Sequence, residues 1–157
     1  MEPLISGGEQ EYGLRGGTAN AAADIVFAKT LRLALERQAQ TAAHTAKLNQ
    51  RLRQGLSEIE GIEFNSPDNA IPEVLNFSYE AIPSEVMQNE LNRRGFMVSA
   101  RSTCESNSNN PSYVLLAMGC SERRASCSIR VSLSLETTEA EIDAFIEAVK
   151  EMIQQYG

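Results

Sequence analysis

Residues 127–135 read CSIRVSLSL and alternate strictly between apolar and polar side chains. Alternation with a period of two is typical of a β-strand that has one buried and one exposed face. The segment therefore predicts a half-buried strand as the centre of the fold. Its apolar face would carry Cys127, Ile129, Val131, Leu133 and Leu135, and its polar face Ser128, Arg130, Ser132 and Ser134.

A helix is predicted shortly after this strand. Thr138 and Glu141 have the spacing of a capping box, in which each side chain accepts a hydrogen bond from the other residue's backbone N–H. The apolar side chains that follow recur at helical spacing, which predicts one buried helix face. They are Ile142, Phe145, Ile146, Val149 and Ile153.

Three further short strands are predicted upstream, at residues 62–64, 74–79 and 96–100. The turn-forming sequence Ser-Pro-Asp-Asn at 66–69 separates the first two. Strands mixed with helices, without regular βαβ repetition, indicate an α+β fold. We expect helices packed on a small, mainly antiparallel sheet.

The same region also predicts helices. One begins at Pro83 and stops at Gly95, because proline suits a first helical turn and glycine a helix end. A shorter helix begins at Pro111 and ends at Gly119. A much longer helical run follows Thr18, a residue type that often caps helix N-termini. One face of its later part carries Leu48, Leu52, Leu56 and Ile59.

Composition limits the classes of partner. The 157 residues are 42% hydrophobic and 22% charged, as in an ordinary globular domain. A net charge of −7 repels nucleic acid and anionic membranes. The sequence lacks the roughly 18–20 consecutive apolar residues of a membrane helix, and its start does not resemble a signal peptide. We therefore expect a cytoplasmic protein that binds small molecules or proteins, with neither nucleic acid nor membrane as a partner.

The three cysteines differ in their surroundings. Their odd number in a chain without secretory features argues against a disulfide framework, and their spacing predicts no metal site. Cys104 lies in the polar, loop-like segment 101–112, RSTCESNSNNPS, and is either a nucleophile or a thiol without a role. Cys120 and Cys127 are expected to be structural, because buried cysteines behave as small hydrophobic residues.

Two further features could bind an anion. Arg130 carries a planar guanidinium that matches a carboxylate with two hydrogen bonds, although an ordinary surface charge is favoured from the residue alone. The glycine-rich residues 5–18, ISGGEQEYGLRGGT, form a loop or arm that leads into a helix N-terminus. Backbone amides there could bind phosphate, but from the segment alone a tight structural turn is favoured.

Five segments, taken in order, resemble the C-terminal portion of NifS-like cysteine desulfurases, which are pyridoxal-phosphate enzymes of the class V aminotransferase group. Residues 7–18 are similar to that family's glycine-rich segment, 75–78 to its Leu-Asn-x-Ser strand, and 102–104 to its Ser-Ala-Cys. Residues 111–115 (PSYVL) and 128–132 (SIRVS) complete the series. The resemblance implies the small C-terminal domain of a fold-type I enzyme.

The resemblance also implies roles for three residues. Cys104 would take sulfur from L-cysteine as a persulfide and leave L-alanine, and Arg130 would bind the substrate carboxylate. Thr18 would contact the phosphate of pyridoxal phosphate in the partner subunit of a homodimer. Residues 1–17 would form an arm at the dimer interface and cofactor site, and residues 18–157 the small domain. A sulfur-acceptor protein and iron–sulfur cluster assembly are further implications.

Family members attach the cofactor to a lysine in a large N-terminal domain. The lysines of this chain, Lys29, Lys47 and Lys150, lie in predicted helices outside any matching motif. We therefore expect the chain to be a fragment that is inactive alone. Two alternatives stay open: another class V aminotransferase or lyase in which Cys104 is incidental, and a non-catalytic dimerisation or sulfur-carrier module.

Overall fold

The computed structural model describes residues 2–3, 5–100 and 111–156. The chain divides into two compact units, Met1–Gln38 and Ala39–Gly157, and the boundary falls inside helix α1, Ala21–Ser57. No helix within the described ranges is both long and apolar enough to cross a membrane.

The first unit contains the glycine-rich loop and the beginning of α1. The loop includes one short 3₁₀ turn, Glu11–Gly13, and an isolated β-bridge between Ile5 and Arg15. Its described residues form no longer helix or strand, as predicted. Asn20 Oδ1 accepts a hydrogen bond from the backbone N–H of Ala23 at 3.1 Å. Asn20 is therefore the N-cap of α1. The prediction that Thr18 caps this helix is wrong.

The second unit is built on a three-stranded antiparallel sheet in the order β1–β2–β3. The strands are β1, Ile62–Phe64, β2, Val74–Tyr79, and β3, Ser128–Ser132. β1 and β2 coincide with the predicted strands, and helices pack on the sheet. The α+β prediction is confirmed.

One face of the sheet packs against α1, helix α2, Ser84–Arg93, and helix α5, Glu139–Tyr156. Burying one leucine or isoleucine side chain contributes about 1.5–3 kcal/mol relative to its exposure. The predicted apolar face of α1 is confirmed, except that Ile59 lies beyond the helix end and is partly buried. Fully buried members of this core include Leu48, Leu52, Leu56, Leu75, Phe77, Met87, Leu91, Ile129, Val149 and Met152.

The opposite face is covered by a short helix that the sequence did not predict, α4, Glu122–Ser126. The Ser121 hydroxyl accepts a hydrogen bond from Arg124 N at 3.1 Å and caps this helix. Carbonyl oxygens of α4 in turn accept hydrogen bonds from the hydroxyls of Ser78 and Ser128, at 2.9 and 3.1 Å. Ser128 is therefore buried, although alternation alone places it on an exposed face.

The predicted strand at residues 127–135 is shorter than expected. Cys127 ends α4 instead of opening β3, because its N–H donates to Arg124 O at 3.2 Å. The strand ends at Ser132, and Leu135 is half-buried. The alternating pattern is nevertheless confirmed for Ile129 and Val131, which face the core.

Residues 96–100 do not form the predicted strand. Within this fully described segment, Ser99 alone pairs with β3, through backbone hydrogen bonds of 2.7 and 3.1 Å to Arg130. The neighbouring carbonyl of Val98 accepts a hydrogen bond from the Gln88 side chain at 2.9 Å. A side chain of α2 therefore takes the place of a continued strand ladder.

The remaining helices agree with their sequence signals. α2 ends at Arg93, and helix α3, Tyr113–Ala117, lies inside the predicted segment. The capping box of α5 is confirmed: Thr138 N donates to Glu141 Oε2 at 2.8 Å, and Glu141 N donates to Thr138 Oγ1 at 3.3 Å. Ala148 and Met152 are buried more deeply than Ile146 and Ile153 of the predicted stripe, which are partly buried.

Helix α5 is also held to α1 by close packing and ion pairs. A Cβ atom at Gly55 would overlap the Ile146 side chain, so the absence of a side chain permits this approach. Arg51 binds the Asp143 carboxylate with two hydrogen bonds, of 2.6 and 2.8 Å. The hydrogen bond from Arg51 lowers the pKa of Asp143 below its ordinary value.

Acid should weaken this attachment. A carboxyl whose pKa is lowered by folding adds stability above its unfolded pKa, and the stability is lost as the pH falls through the folded pKa. We expect Asp143→Asn to lower the melting temperature at pH 7, and the difference from the unmodified chain to shrink steadily below about pH 4.

Thermal unfolding followed by circular dichroism between pH 7 and pH 2.5 measures this effect. Glu147→Gln is the matched control, because Glu147 is exposed on the same helix and has no ion pair within the described part of the chain. A pH-independent loss in Asp143→Asn would contradict the assignment.

Candidate functional site

A cavity of about 250 Å³ opens on the sheet face that carries Arg130. Its wall combines residues of β2 and β3, the turn after β1, the segment ending at residue 100, and helix α3. It contains no carboxylate side chain among the described lining residues. These are Asn65, Ser66, Pro67, Asn76, Ser99, Ala100, Ser112, Val114, Leu115, Met118 and Arg130.

Arg130 is held at this wall from two sides. Its backbone pairs with Asn76 of β2 on one side and with Ser99 on the other. One terminal guanidinium nitrogen, Nη2, also donates to Ser99 Oγ at 3.2 Å. The remaining N–H groups of the guanidinium have no hydrogen bond within the described residues, so they can bind an acceptor in the cavity.

A buried polar network supports the wall beside Arg130. The Asn65 side chain donates to Asn76 Oδ1 at 2.6 Å and to Ser78 Oγ at 2.7 Å. Its own oxygen accepts from Arg124 Nε at 2.5 Å. Arg124 also donates to the Phe64 carbonyl at 2.7 Å. Asn65 and Arg124 were not singled out by sequence, because the network joins residues up to 60 positions apart.

The turn that contains Asn65 is held by a second arginine. Arg53 of α1 donates to the carbonyl oxygens of Ser66 and Pro67, at 2.8 and 3.2 Å. Its guanidinium carbon lies 5.3 Å from the centre of the Phe64 ring, a distance typical of a cation–π contact. Backbone and side-chain hydrogen bonds therefore fix this wall before any ligand binds.

The predicted nucleophile, Cys104, lies outside the described residues. Ala100, which directly precedes the segment 101–110, and Ser112, the second residue after it, both line the cavity. The chain therefore leaves and re-enters the described structure at the cavity that contains Arg130.

Cys120 and Cys127 are free thiols. Cys127 is buried, and burial raises the pKa of its thiol, with Arg123 opposing this shift and Glu80 adding to it. The structural interpretation of Cys127 is confirmed. Cys120 is partly buried, with its sulfur 3.8 Å from Asn65 Oδ1.

The predicted phosphate contact, Thr18, belongs to the first unit. It is exposed and lies two residues before the N-cap Asn20, next to the positive end of α1. All three lysines lie in helices, as predicted, and Lys47 is paired with Glu139. Within the described ranges no three His, Cys, Asp or Glu side chains form a group that could hold a metal ion.

The family described as aminotransferase class-V matches residues 2–145. The chain belongs to this family. Class V membership agrees with the resemblance of its five sequence segments.

Individual relatives point to one branch of the class V family. The chain is 40% identical over 154 residues to the probable mitochondrial cysteine desulfurase of Schizosaccharomyces pombe, covering 98% of this chain and 30% of that protein. It is 37% identical over 156 residues to the cysteine desulfurase IscS of Mannheimia succiniciproducens, covering 99% of this chain and 38% of that protein. The chain thus spans about a third of the length of these curated relatives.

Solved structures of NifS-like proteins resemble the described fold. A NifS-like protein superposes with a TM-score of 0.83 at 34% identity, over 98% of this chain and 39% of that one. A NifS-like protein from Rickettsia africae gives a TM-score of 0.81 at 28% identity, over 97% and 40%. The described fold is therefore that of a NifS-like small domain.

The thiols should differ in reactivity. We expect Cys104 to be alkylated roughly tenfold faster than Cys127 in the native chain, because burial removes access and a raised pKa lowers the thiolate fraction. Timed reaction with iodoacetamide and peptide mass spectrometry measures both rates. The same reaction in denaturant is the control, in which the two rates should converge. Equal rates in the native chain would contradict the prediction.

Proposed function

We propose that this chain supplies the cysteine-binding and sulfur-accepting part of a pyridoxal-phosphate-dependent cysteine desulfurase. The observation that supports this most strongly is the position of Arg130 in a cavity wall that also contains Ala100 and Ser112. The names of the relatives favour a cysteine desulfurase over another class V aminotransferase or lyase.

In this proposal Arg130 binds the carboxylate of L-cysteine. A guanidinium can donate two parallel hydrogen bonds to a carboxylate, which fixes the orientation of the bound molecule. Ser99 holds one terminal nitrogen of the guanidinium, so part of its orientation is established before binding. The absence of carboxylates from the described cavity wall removes a source of repulsion in a chain with a net charge of −7.

Cys104 accepts the sulfur. Cys104 is the fourth residue after Ala100, so their Cα atoms can be no more than about 14 Å apart. Ala100 itself lies next to Ser99, whose backbone is hydrogen-bonded to that of Arg130. The chain can therefore bring the Cys104 thiol to a ligand held at Arg130.

The proposed transfer begins with attack of the Cys104 thiolate on the sulfur of bound L-cysteine. A sulfur–sulfur bond forms as the carbon–sulfur bond breaks, and the electron pair stays with carbon. That carbon takes up a proton and becomes the methyl group of L-alanine, while Cys104 carries a persulfide. Pyridoxal phosphate, when bound, supplies the electron withdrawal that weakens the carbon–sulfur bond.

Class V enzymes use pyridoxal phosphate. The features of the first unit that fit its phosphate are the exposed Thr18 hydroxyl and the positive end of α1. The described cavity wall contains no lysine, and Lys47 is engaged by Glu139. We therefore assign Thr18 to the phosphate of the cofactor in the partner subunit of a homodimer and expect the attachment lysine in another part of the protein.

The whole protein would be a homodimer that passes its persulfide to a sulfur-acceptor protein for iron–sulfur cluster assembly. Residues 1–17 would form the arm at the dimer interface, and residues 18–157 the small domain. The Tyr12 side chain is 99% exposed in the chain alone and is therefore available to an interface. A cytoplasmic location is part of the proposal, and the relatives with mitochondrial in their names make a mitochondrial location its alternative.

A chimera tests the proposed role of Arg130. This chain replaces the matching segment of the Mannheimia succiniciproducens relative, and L-alanine and sulfide are measured. We expect desulfurase activity, with KM for L-cysteine raised about ten- to a hundredfold by Arg130→Ala, because one charge-assisted bidentate contact is lost. Arg130→Lys should restore only part of the binding of L-cysteine, since lysine lacks the planar guanidinium that makes two parallel hydrogen bonds.

The control for this series is Arg93→Ala, which removes an exposed arginine of α2. It should leave KM unchanged. An Arg130→Ala chimera with the kinetics of the parent chimera would show that Arg130 is only a surface charge.

The isolated chain should be inactive. We expect neither tight binding of pyridoxal phosphate nor formation of L-alanine from L-cysteine, because the described cavity wall offers no lysine to the cofactor. Absorbance spectra with added cofactor, together with an amino-acid assay, measure both properties. L-alanine formation by the chain alone would contradict the proposal that the attachment lysine lies in another part of the protein.

A further inference from the structure

Asn76 lies directly opposite Arg130 in the β2–β3 register. Directly opposed residues on one sheet face have Cβ atoms roughly 4.5–5.5 Å apart, and both side chains line the same cavity. A small ligand in this cavity can therefore meet both the guanidinium of Arg130 and the side-chain amide of Asn76. What Asn76 offers to that ligand depends on which end of its amide faces the cavity.

The orientation of the neighbouring amide, Asn65, follows from chemistry alone. Arginine nitrogens can donate hydrogen bonds but cannot accept them. The Asn65 atom that contacts Arg124 Nε at 2.5 Å must therefore be the oxygen. The other end of this amide is then the NH₂ group, which contacts both Asn76 and Ser78.

The orientation of the Asn76 amide follows from that of Asn65. Because Asn65 presents an NH₂ group at 2.6 Å, the Asn76 atom that faces it must be the acceptor oxygen. The Nδ2 group of Asn76 is thus turned away from Asn65, and it has no hydrogen bond to any residue in the described part of the chain. A donor-only arginine thereby determines, through two amides, that Asn76 offers a donor at the cavity wall.

We propose that Asn76 Nδ2 is a second hydrogen-bond donor to the substrate carboxylate beside Arg130, with Asn65 and Arg124 as positioning residues. This inference rests on the proposed function and deepens it. A carboxylate fits because it has two acceptor oxygens and one negative charge, which match one guanidinium and one neutral amide. The described wall provides no second cation and no carboxylate, so neither a doubly charged anion nor a cation is matched as well.

The test uses the ¹⁵N-labelled chain and two probes, L-alanine and L-alaninamide, which differ in the carboxylate. We expect L-alanine to shift the side-chain resonances of Asn76 NH₂ and Arg130 Nε–H, and L-alaninamide to shift neither. Asn76→Ala should weaken L-alanine binding roughly tenfold, because one hydrogen bond to a charged group is lost. Asn76→Asp, which keeps the shape and replaces the donor by an acceptor, should weaken it further.

Two controls make the comparison specific. Asn89→Ala and Asn89→Asp introduce the same changes at an exposed site on α2 and should bind L-alanine as the unmodified chain does. Amide spectra of every variant show whether it is folded. If Asn76→Ala is unfolded, the isosteric Asn76→Asp decides the result.

The positioning role has its own measurement. Arg124→Met removes the donor that orients Asn65, and we expect loss of the single Asn76 NH₂ environment together with weaker L-alanine binding. Arg124→Lys, which retains a donor, should restore part of both. Arg123→Met is the matched control on α4, since Arg123 donates instead to the Glu80 carbonyl at 2.8 Å. An Arg124→Met chain with unchanged Asn76 resonances and affinity would overturn the positioning role.

The outcomes separate this inference from the proposed function. If Arg130→Ala abolishes binding while both Asn76 variants bind L-alanine normally, the carboxylate site stands and the inference is overturned. If Arg130→Ala also binds normally, the role of Arg130 in the proposed function fails as well. A chain in which L-alanine shifts neither side chain overturns the inference directly.

Discussion

The antiparallel pairing of β2 with β3 is the constraint on which the rest of the structure depends. It directs Phe77 and Ile129 into the main core and brings Asn76 and Arg130 together on the other face. A slip by one residue would exchange the two faces of a strand and turn Arg130 toward the core. Burial of the apolar face therefore enforces the register that assembles the site.

The second face is held by polar contacts instead of an apolar core. Asn65 is buried, and leaving one of its polar groups without a partner would cost about 1–3 kcal/mol. The network avoids this cost, because Arg124, Asn76 and Ser78 satisfy both ends of the amide. Arg124 itself stays 25% exposed and is paired with Glu63, so its charge is not fully desolvated. The result is a cavity wall of defined donor and acceptor orientation.

Local electrostatics at the cavity differ from those of the whole chain. The sequence has 21 acidic and 14 basic residues. The described cavity wall nevertheless contains the cationic Arg130 and no carboxylate. Net charge governs approach from a distance, whereas the affinity for a small anion depends on the groups it contacts. An acidic protein can therefore contain a site for a carboxylate, provided that its fold keeps the acidic side chains elsewhere.

The sequence by itself determined the strands at 62–64 and 74–79, the capping box at Thr138, and the apolar faces of the main helices, because these depend on local periodicity and backbone preferences. It also singled out Arg130 and assigned Cys127 to the core. Only the tertiary structure decided that α4 buries Ser128, that Ser99 alone pairs with Arg130 in a segment predicted as a strand, and that Asn20 caps α1 in place of Thr18. The network of Asn65, Asn76 and Arg124 was likewise decided only by the tertiary structure. Its hydrogen bonds join residues far apart in the chain, and no local pattern records which distant groups a fold will bring within about 3 Å of one another.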